Sequence, residues 1–369
     1  MDRLRFAPIP DGLPATVPFT GPETLERRRG APFTARLGAN ENGFGPTPLA
    51  VEAMARAAAE AWKYGDPDSH ALRSALAAYH GVAPGHIMLG EGVDGLLGLL
   101  VRLVVAPGET VVTSDGAYPT FNYHVAGFGG RLVKAPYRND AEDPDALLTA
   151  ARDHGARLVY LANPDNPMGS WHPGARIEAM LADLPQGALL VLDEAYAEFA
   201  PAEAIPRIDP ADDRVIRFRT FSKAYGMAGA RIGYAIGPEP LIAGFDRIRN
   251  HFGINRIAQA GALAALADRD GLERICRAVA AARARLEAIA SDNGLRALSS
   301  ATNFVAIDCG GDGALARRAL DALADLGIFA RMPGVAPMDR CIRVSCAPDP
   351  ELDAFAQALP RALAQARQG

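Results

Sequence analysis

Short apolar runs alternate with helical stretches along much of this 369-residue chain, and that alternation constrains its fold more than any other feature. The strand-like runs are 86–89, 110–113, 157–161, 188–192, 215–218 and 230–236. Helical stretches are predicted at 48–62, 93–105 and 177–184. Strands that alternate with helices are typical of an α/β domain, in which helices flank a mostly parallel sheet.

The pattern changes after about residue 250, where a long stretch rich in alanine and arginine predicts a helix at 271–289. Further candidate strands follow at 304–307, 328–330 and 342–344. The first 35 residues are rich in proline and glycine and show no sustained period. We therefore predict an N-terminal arm at 1–35, a large domain at 36–250 and a small α/β domain at 251–369.

Composition restricts the partners and the location of the protein. The net charge of −5 and the lack of a basic run argue against binding to nucleic acid or to an anionic membrane surface. No apolar run approaches the ~20 residues that a membrane helix needs, and no segment resembles a signal peptide. We therefore expect a cytoplasmic protein. We also expect no metal site, since the cysteines lack the spacing of zinc ligands. The cysteines, expected to be free thiols, are Cys276, Cys309, Cys341 and Cys346.

Polar segments follow several of the predicted strands, at the point where each strand ends. These segments are 90–92, 163–167, 193–196 and 220–226. Ligands of parallel α/β sheets bind beyond the carboxyl ends of the strands. We therefore expect the polar segments to meet around one crevice.

Lys223 is the most reactive candidate in that crevice. A lysine at a buried strand end can lose its proton and condense with an aldehyde. The hydroxyls of Thr220 and Ser222 and the guanidinium of Arg231 could hold a phosphate beside it. Asp193 ends an apolar run, so its buried charge needs a cation, which a protonated pyridine nitrogen or an arginine could supply. An aldehyde, a phosphate and a pyridine together indicate pyridoxal phosphate.

Two further segments could contact the same cofactor. Gly92, Val93 and Asp94 lie at the start of a predicted helix, where backbone amides favour a phosphate. An ordinary tight turn, with Asp94 as a helix cap, is the alternative. Tyr118 could stack on the pyridine ring or could simply belong to the hydrophobic core.

Asn166 and Tyr196 are candidate donors to the phenolate oxygen of the cofactor. Asn166 lies between two prolines, where an asparagine often does no more than form a turn. Neutral donors at that oxygen would lower the pKa of the nitrogen that joins the lysine to the cofactor. We therefore count both residues, with Lys223 and Asp193, as candidate catalytic residues.

Several segments together resemble the signature of the fold-type I, class I and II aminotransferases, and specifically the histidinol-phosphate aminotransferase subgroup. They are LGANENGFGP at 37–46, YGDP at 64–67, NPDNPMG at 163–169, DEAY at 193–196 and TFSKAYGMAGAR at 220–231. The similarity extends from about residue 18 into the C-terminal region. It implies a large doubly wound domain with a mostly parallel sheet, a smaller α/β C-terminal domain and pyridoxal phosphate.

The resemblance also implies a reaction and a shared active site. The reaction would be reversible amino transfer from histidinol phosphate to 2-oxoglutarate in a homodimer. Tyr64 resembles the tyrosine that reaches the phosphate of the partner's cofactor. Arg343 resembles the arginine that binds the substrate carboxylate, and Arg331 the arginine that binds the substrate phosphate. Asn40 and Phe19 are further candidate substrate-binding residues.

Phe19 departs from the subgroup, which often has a tyrosine at this position in the arm. The resemblance implies that this tyrosine hydroxyl helps to bind the substrate phosphate, so Phe19 removes one donor. An aromatic or broad-specificity amino-acid aminotransferase is therefore the alternative function. A phosphothreonine-type decarboxylase with the same cofactor fits the motifs less well. A cofactor-sensing regulator without catalytic activity fits least, because only about 40 residues precede the first motif, too few for a DNA-binding module.

Overall fold

The computed structural model describes residues 6–15 and 19–368. Residues 17 and 18 of the arm therefore lie outside the described residues. The strands are β1 (Ala35–Arg36), β2 (Ile87–Gly90), β3 (Thr110–Ser114), β4 (Arg131–Ala135), β5 (Leu158–Ala162), β6 (Leu189–Asp193), β7 (Val215–Thr220), β8 (Gly233–Ile236), β9 (Arg296–Ala297), β10 (Phe304–Asp308), β11 (Ile328–Phe329) and β12 (Cys341–Ser345).

The helices of the described residues surround these strands. They are α1 (Pro8–Asp11), α2 (Pro22–Arg29), α3 (Pro48–Ala58), α4 (His70–His80), α5 (Gly92–Val104), α6 (Pro119–Gly127), α7 (Pro144–His154), α8 (Gly174–Ala182), α9 (Glu239–Phe245), α10 (Arg256–Ala267), α11 (Arg269–Asp292), α12 (Gly313–Asp325) and α13 (Asp349–Gln368). In the described part of the chain, no helix is both long enough and apolar enough to span a membrane.

The larger sheet of the described residues has seven strands in the order β2-β8-β7-β6-β5-β3-β4. Every strand runs in the same direction except β8, which is antiparallel to both of its neighbours. Successive side chains of a strand point to opposite faces. Leu189 and Val191 accordingly pack with α5, α6 and α9, whereas Leu190 and Leu192 pack with α7 and α8. The predicted mostly parallel, doubly wound α/β fold is confirmed.

Two local predictions need correction, and one strand was not predicted. β4 was not expected, because this edge strand is largely solvent-accessible and lacks an apolar run. The run at 230–236 forms a strand only from Gly233, since Arg231 has a left-handed φ of 55° that no strand accommodates. The helix predicted at 48–62 ends at Ala58, and the chain turns after it.

The C-terminal region contains a second hydrophobic core, formed by α11, α12, α13 and the short sheet β12-β10-β9. β1 pairs in parallel with β11 and so fixes the segment after the arm to this region. α10 packs against α3 and α4. The domain boundaries at residues 35 and 250 stay a prediction.

Candidate active site

A cavity of about 630 Å³ lies at the carboxyl ends of the parallel strands. Of the sixteen residues predicted from the sequence, fourteen line it. They are Phe19, Asn40, Val93, Asp94, Tyr118, Asn166, Asp193, Tyr196, Thr220, Ser222, Lys223, Arg231, Arg331 and Arg343. Gly92 and Tyr64 do not line it. The common strand polarity explains the convergence, because each polar segment leaves the sheet at the same edge.

Lys223 presents an amine that loses its proton readily. Its Nζ donates a hydrogen bond to the Asn40 carbonyl oxygen at 3.0 Å and lies 5.6 Å from the centre of the Tyr196 ring. Burial, with a smaller contribution from the positive charge of Arg343, lowers the pKa of the Lys223 amine to about 8. A neutral amine is the form that attacks an aldehyde.

Asp193, at the end of β6, is a buried carboxylate with neutral partners. Its Oδ2 accepts a hydrogen bond from the Tyr160 hydroxyl at 2.7 Å, and its Oδ1 accepts one from the Ala195 amide at 2.9 Å. Burial raises the pKa of Asp193 to about 6, although both bonds oppose the shift. Since neither donor carries a charge, the site has a place for a cation.

Tyr160 is a site residue that the sequence did not reveal. It is fully buried, lines the cavity and lies in the apolar run of β5. Nothing in that run distinguishes it from a core tyrosine. Only the pairing of β5 with β6 brings its hydroxyl to Asp193.

The phosphate end of the cavity combines a helix N-terminus with hydroxyls and a guanidinium. α5 begins at Gly92, whose φ of 79° suits glycine. Arg231 Nη1 donates to the Ala228 carbonyl oxygen at 3.1 Å, and its Nη2 lies 3.7 Å from Asp94 Oδ2. Thr220 and Ser222 add hydroxyls along the same wall. The helix dipole and the guanidinium both favour an anion here.

Asp94 is not the helix cap of the alternative interpretation, because Glu91 occupies the N-cap position and Asp94 lies in the first turn of α5. Its Oδ1 instead accepts a hydrogen bond from the Tyr118 hydroxyl at 2.8 Å. This bond fixes the Tyr118 side chain at the wall of the cavity, where the ring is available for stacking.

Tyr196 and Asn40 form a buried hydrogen-bonded pair. Asn40 Nδ2 donates to the Tyr196 hydroxyl oxygen at 3.0 Å, and the backbone N–H of Asn40 donates to Ser345 Oγ at 3.1 Å. Burial raises the pKa of Tyr196, so its hydroxyl keeps the proton that it can donate. Asn40 Oδ1 is buried without a partner among the described residues and can accept a bond from a ligand.

Arg343, on β12, is held by neutral acceptors. Its Nη1 donates to Asn166 Oδ1 at 2.5 Å and its Nη2 to the Gly38 carbonyl oxygen at 3.3 Å. Its Nε is buried and has no hydrogen-bond partner in the described part of the chain. Burial lowers the pKa of Arg343 to about 10. A buried guanidinium that forms no salt bridge with the described residues is suited to bind an anionic substrate.

Arg331 lies beside Arg343, because the backbones of the two residues form an antiparallel bridge. Its Nη2 donates to the Thr20 carbonyl oxygen at 3.1 Å. The guanidinium carbon lies 5.4 Å from the centre of the Phe19 ring and 5.6 Å from that of Phe329. Phe19 therefore covers Arg331 from the arm and stabilises its charge through the ring face.

Tyr64 points away from the cavity of its own chain. Its side chain is 76% exposed and packs on Phe252 with ring centres 4.7 Å apart. Glu91, the N-cap residue of α5, does not line the cavity either, and its carboxyl group lies against Gly253.

Pyridoxal phosphate fits these residues. A cavity of about 630 Å³ falls in the ~300–1,000 Å³ range typical of small-ligand sites. The Lys223 amine, the uncompensated Asp193 carboxylate and the anion site at α5 match its aldehyde, ring nitrogen and phosphate in turn. The donor set therefore agrees with the cofactor expected from the sequence.

Comparison with known proteins agrees with the geometry. Residues 34–359 match the family model described as aminotransferase class I and II. The chain is 55% identical to a crystallised histidinol-phosphate aminotransferase from Sinorhizobium meliloti in complex with pyridoxal-5'-phosphate, with a TM-score of 0.94 and 98% of each chain covered. It is 37% identical to histidinol-phosphate aminotransferase 2 of Ralstonia nicotianae, over 90% of this chain and 89% of that protein.

A more distant structure shares the architecture. The chain is 25% identical to aspartate aminotransferase from Thermus thermophilus with maleate, with a TM-score of 0.78 and coverage of 92% of this chain and 94% of that one. The family model covers most of the chain, and the similarity to the Sinorhizobium meliloti enzyme extends over 98% of it. The chain therefore belongs to the class I and II aminotransferases, within the histidinol-phosphate aminotransferase subgroup.

Proposed function

We propose that this chain transfers the amino group of histidinol phosphate to 2-oxoglutarate with pyridoxal phosphate as cofactor, reversibly, giving imidazole acetol phosphate and glutamate. One observation carries the proposal: a single cavity joins the Lys223 amine and the Asp193 carboxylate to the guanidiniums of Arg331 and Arg343. The 55% identity to the Sinorhizobium meliloti enzyme supports the choice of substrate.

The cofactor, when bound, supplies a conjugated ring that accepts the electrons released as a proton leaves the substrate carbon. Asp193 would hold the protonated ring nitrogen, which provides the cation that this buried carboxylate lacks. Thr220, Ser222 and Arg231 would hold the phosphate at the start of α5. Gly92, Val93 and Asp94 would shape that end of the site, and Tyr118 would stack on the ring.

Lys223 would hold and move the proton. Its amine, with a pKa near 8, is neutral in an appreciable fraction of molecules close to neutral pH and can accept a proton from the substrate carbon. Tyr196 would donate its hydroxyl proton to the phenolate oxygen of the cofactor. Asn166 would donate to the same atom through Nδ2, since its amide oxygen already accepts from Arg343.

Arg343 and Arg331 would bind the charged groups of the two substrates. Arg343, buried and held by neutral acceptors, suits the carboxylate of 2-oxoglutarate. Arg331, which is closer to the arm, suits the phosphate of histidinol phosphate. The backbone bridge between them places both positive charges at one end of the cavity, where a dianion gains more than a monoanion does.

Phe19 favours a second candidate function, the transamination of aromatic amino acids. Its ring lies over Arg331 and presents carbon where a tyrosine would present a hydroxyl. An apolar ring at the cavity wall can pack on an aromatic substrate side chain. This alternative has the same chemistry at Lys223 and differs only in the substrate that fills the pocket.

Initial rates with histidinol phosphate and with phenylalanine, each with 2-oxoglutarate, separate the two candidates. We expect a higher kcat/KM for histidinol phosphate. Arg331→Ala should lower that value by about 10- to 100-fold, as expected for the loss of a charged hydrogen bond of ~1.5–3 kcal/mol. Arg317→Ala, at an exposed position of α12, serves as the control. A higher kcat/KM for phenylalanine would contradict the proposed substrate.

We also propose a homodimer, in which Tyr64 of each chain reaches the cofactor phosphate of its partner. Trp62 and Tyr64 are 81% and 76% exposed, and Phe252, on which Tyr64 packs, is 50% exposed. Neighbouring exposed aromatic side chains are typical of an interaction surface. A second copy of the chain would cover them.

The cysteines support a cytoplasmic location, which we propose for this chain. All four are free thiols, and Cys309, Cys341 and Cys346 are buried. Unpaired buried thiols are typical of proteins in a reducing compartment.

A further inference from the structure

The backbone carbonyl oxygen of Asn40 accepts two hydrogen bonds, one from the lysine of the cavity and one from the C-terminal region. Lys223 Nζ donates at 3.0 Å, and Asn303 Nδ2 donates at 3.1 Å. Asn303 is fully buried and does not line the cavity. We propose that Asn303 is a positioning residue, which holds the Asn40 carbonyl oxygen in the place where it accepts from the Lys223 amine. The proposal rests on the role of Lys223 proposed above.

The backbone of Asn40 adopts a conformation that needs support from outside. Its φ of 54° lies in the left-handed region, which few residues other than glycine adopt. Such a conformation persists only where the surrounding structure fixes it. Asn303 supplies that support, because its Nδ2 also donates to the Glu41 carbonyl oxygen, at 3.2 Å. Two successive carbonyl groups are thereby fixed in direction.

The Asn303 amide group is itself fixed. If the amide were turned over, its oxygen would face the two carbonyl oxygens of Asn40 and Glu41, and no hydrogen bond could form. The backbone carbonyl oxygen of Asn303 accepts from the Cys346 amide at 2.8 Å, in the segment that follows β12. The acceptor of the Lys223 amine is therefore held from a packed part of the C-terminal region.

Stability alone does not explain an asparagine at position 303. Its Oδ1 is buried and has no hydrogen-bond partner in the part of the chain that the structure describes. A buried acceptor without a partner costs free energy, and an apolar side chain of similar shape would avoid that cost. The side-chain hydrogen bonds of Asn303 go to residues 40 and 41. What the amide contributes is therefore the position of this segment.

Asn42 holds the other end of the lysine. Its Nδ2 donates to the backbone carbonyl oxygens of Lys223 at 3.1 Å and of Ala224 at 3.2 Å. Asn42 is buried, as Asn303 is. Because Asn42 fixes the backbone of Lys223 and Asn303 fixes the acceptor of its amine, residues 40–42 position both ends of the lysine side chain.

The bond to the Asn40 carbonyl oxygen favours the charged form of the Lys223 amine. Burial acts in the opposite direction and lowers the pKa of this amine to about 8. If the carbonyl oxygen moved out of reach, the charged form would lose this acceptor, and the pKa would fall further. The titratable and charged groups around the amine are Arg343, Arg231, Asp94, Glu41, Tyr196 and Asp193. The substitution Asn303→Leu removes none of them.

Competitive labelling of the full chain without cofactor tests the positioning role. Acetic anhydride reacts with the neutral amine, so the extent of Lys223 acetylation at each pH, measured by peptide mass spectrometry, gives the pKa of the amine. We expect a labelling midpoint near pH 8 for the wild type. The midpoint of Asn303→Leu should lie about one pH unit lower, because the ammonium form loses a charged hydrogen bond.

The matched control is Thr302→Val. Thr302 is as buried as Asn303, but its Oγ1 donates to the Phe304 carbonyl oxygen at 3.1 Å. This variant also removes one buried polar group from the same segment, and its midpoint should equal that of the wild type. An unchanged midpoint in Asn303→Leu, or an equal fall in Thr302→Val, would overturn the positioning role.

The rate of pyridoxal phosphate attachment gives a second readout. It is measured by stopped-flow absorbance well above the labelling midpoints, where the amine is neutral in every variant. Attachment should be about tenfold slower in Asn303→Leu, because a displaced nucleophile reacts slowly, and should stay within about twofold of the wild type in Thr302→Val. Equal rates in Asn303→Leu and the wild type would contradict the proposal.

A second variant keeps the test decisive if Asn303→Leu does not fold. The hydroxyl oxygen of Asn303→Ser ends one bond short of Nδ2 and cannot hold both carbonyl groups, so the same downward shift is expected. A chain that shows the shift but transfers no amino group contradicts the proposed function and leaves the role of Asn303 intact. Amino transfer together with unshifted midpoints contradicts the role of Asn303 alone.

Discussion

At the scale of single residues, burial shifts the protonation of Lys223 and Asp193 in opposite directions. It lowers the pKa of the lysine to about 8 and raises that of the aspartate to about 6. Both shifts favour the neutral form, because a charge is costly away from water. The lysine thereby becomes a nucleophile and a base, while the aspartate keeps a place for the cation of a ligand.

The rate at which pyridoxal phosphate attaches to the cofactor-free protein should follow the neutral fraction of Lys223. We expect the rate to rise with pH up to about 8 and to level off above it, because the amine attacks only when unprotonated. Stopped-flow absorbance in the visible range measures this attachment. Lys223→Arg should show no attachment, and a rate that keeps rising well beyond pH 8 would contradict the lowered pKa.

Asp193→Asn should stabilise the cofactor-free protein and weaken the loaded enzyme. A carboxyl group with a raised folded-state pKa costs stability as pH rises through about 6, so above that pH the substitution should add roughly 1–3 kcal/mol to the free energy of unfolding. With cofactor bound, loss of the charge pair should slow amino transfer by about 100-fold. Urea unfolding and single-turnover rates measure the two effects, and a variant that loses stability without cofactor would contradict the argument.

At the scale of elements, the phosphate end of the cavity depends on two residues with a positive φ. Gly92 has a φ of 79° at the start of α5, and Arg231 has a φ of 55° just before β8. A Cβ atom at Gly92 would lie 2.7 Å from Arg231 Nη2. The guanidinium of Arg231 can therefore pack against the start of α5 only because residue 92 has no side chain.

Gly92→Ala should destabilise the protein by about 1–3 kcal/mol, because alanine is strained at this positive φ. It should also weaken cofactor binding, since the new methyl group displaces Arg231. Gly95→Ala in the same helix is the matched control: its Cβ would meet Glu91 at ordinary contact distances, and alanine favours a helix interior by about 0.5–1 kcal/mol. Thermal unfolding and cofactor titration compare them, and equal effects of the two variants would exclude the steric explanation.

At the scale of the whole molecule, the cavity lies between groups that are far apart in the sequence. The large sheet contributes Asp193, the last residue of β6, and Lys223, in the segment that follows β7. The C-terminal region contributes Arg331 and Arg343, and the segment after β1 contributes Asn40. The bond from Lys223 to the Asn40 carbonyl oxygen joins these parts directly.

If the active sites are shared between two chains, variants with defects at Tyr64 and Lys223 should complement each other. A dimer of one Tyr64→Ala chain and one Lys223→Ala chain has one site with both native residues, so the mixture should be more active than either variant alone. We expect sedimentation to show a dimer. Refolding mixtures of the purified variants provides the measurement, and no gain on mixing would contradict a shared site.

Much of the fold could be predicted because strands buried on both faces are continuous apolar runs. The runs at β3, β5, β6 and β7 are of this kind, and the prediction there is accurate to one or two residues. β4 has charged, accessible side chains at the edge of the sheet and left no such run. The family and its cofactor were also predictable, because the lysine, aspartate and asparagine segments are local motifs.

The sequence alone determined the buried central strands and the polar groups that follow them, since both are patterns of neighbouring residues along the chain. Only the tertiary structure decided which strands pair, and so brought the Tyr160 hydroxyl to Asp193. It also decided that Arg331 and Arg343 share a backbone bridge. Such contacts join distant residues whose side chains, read locally, are ordinary members of a core or a surface.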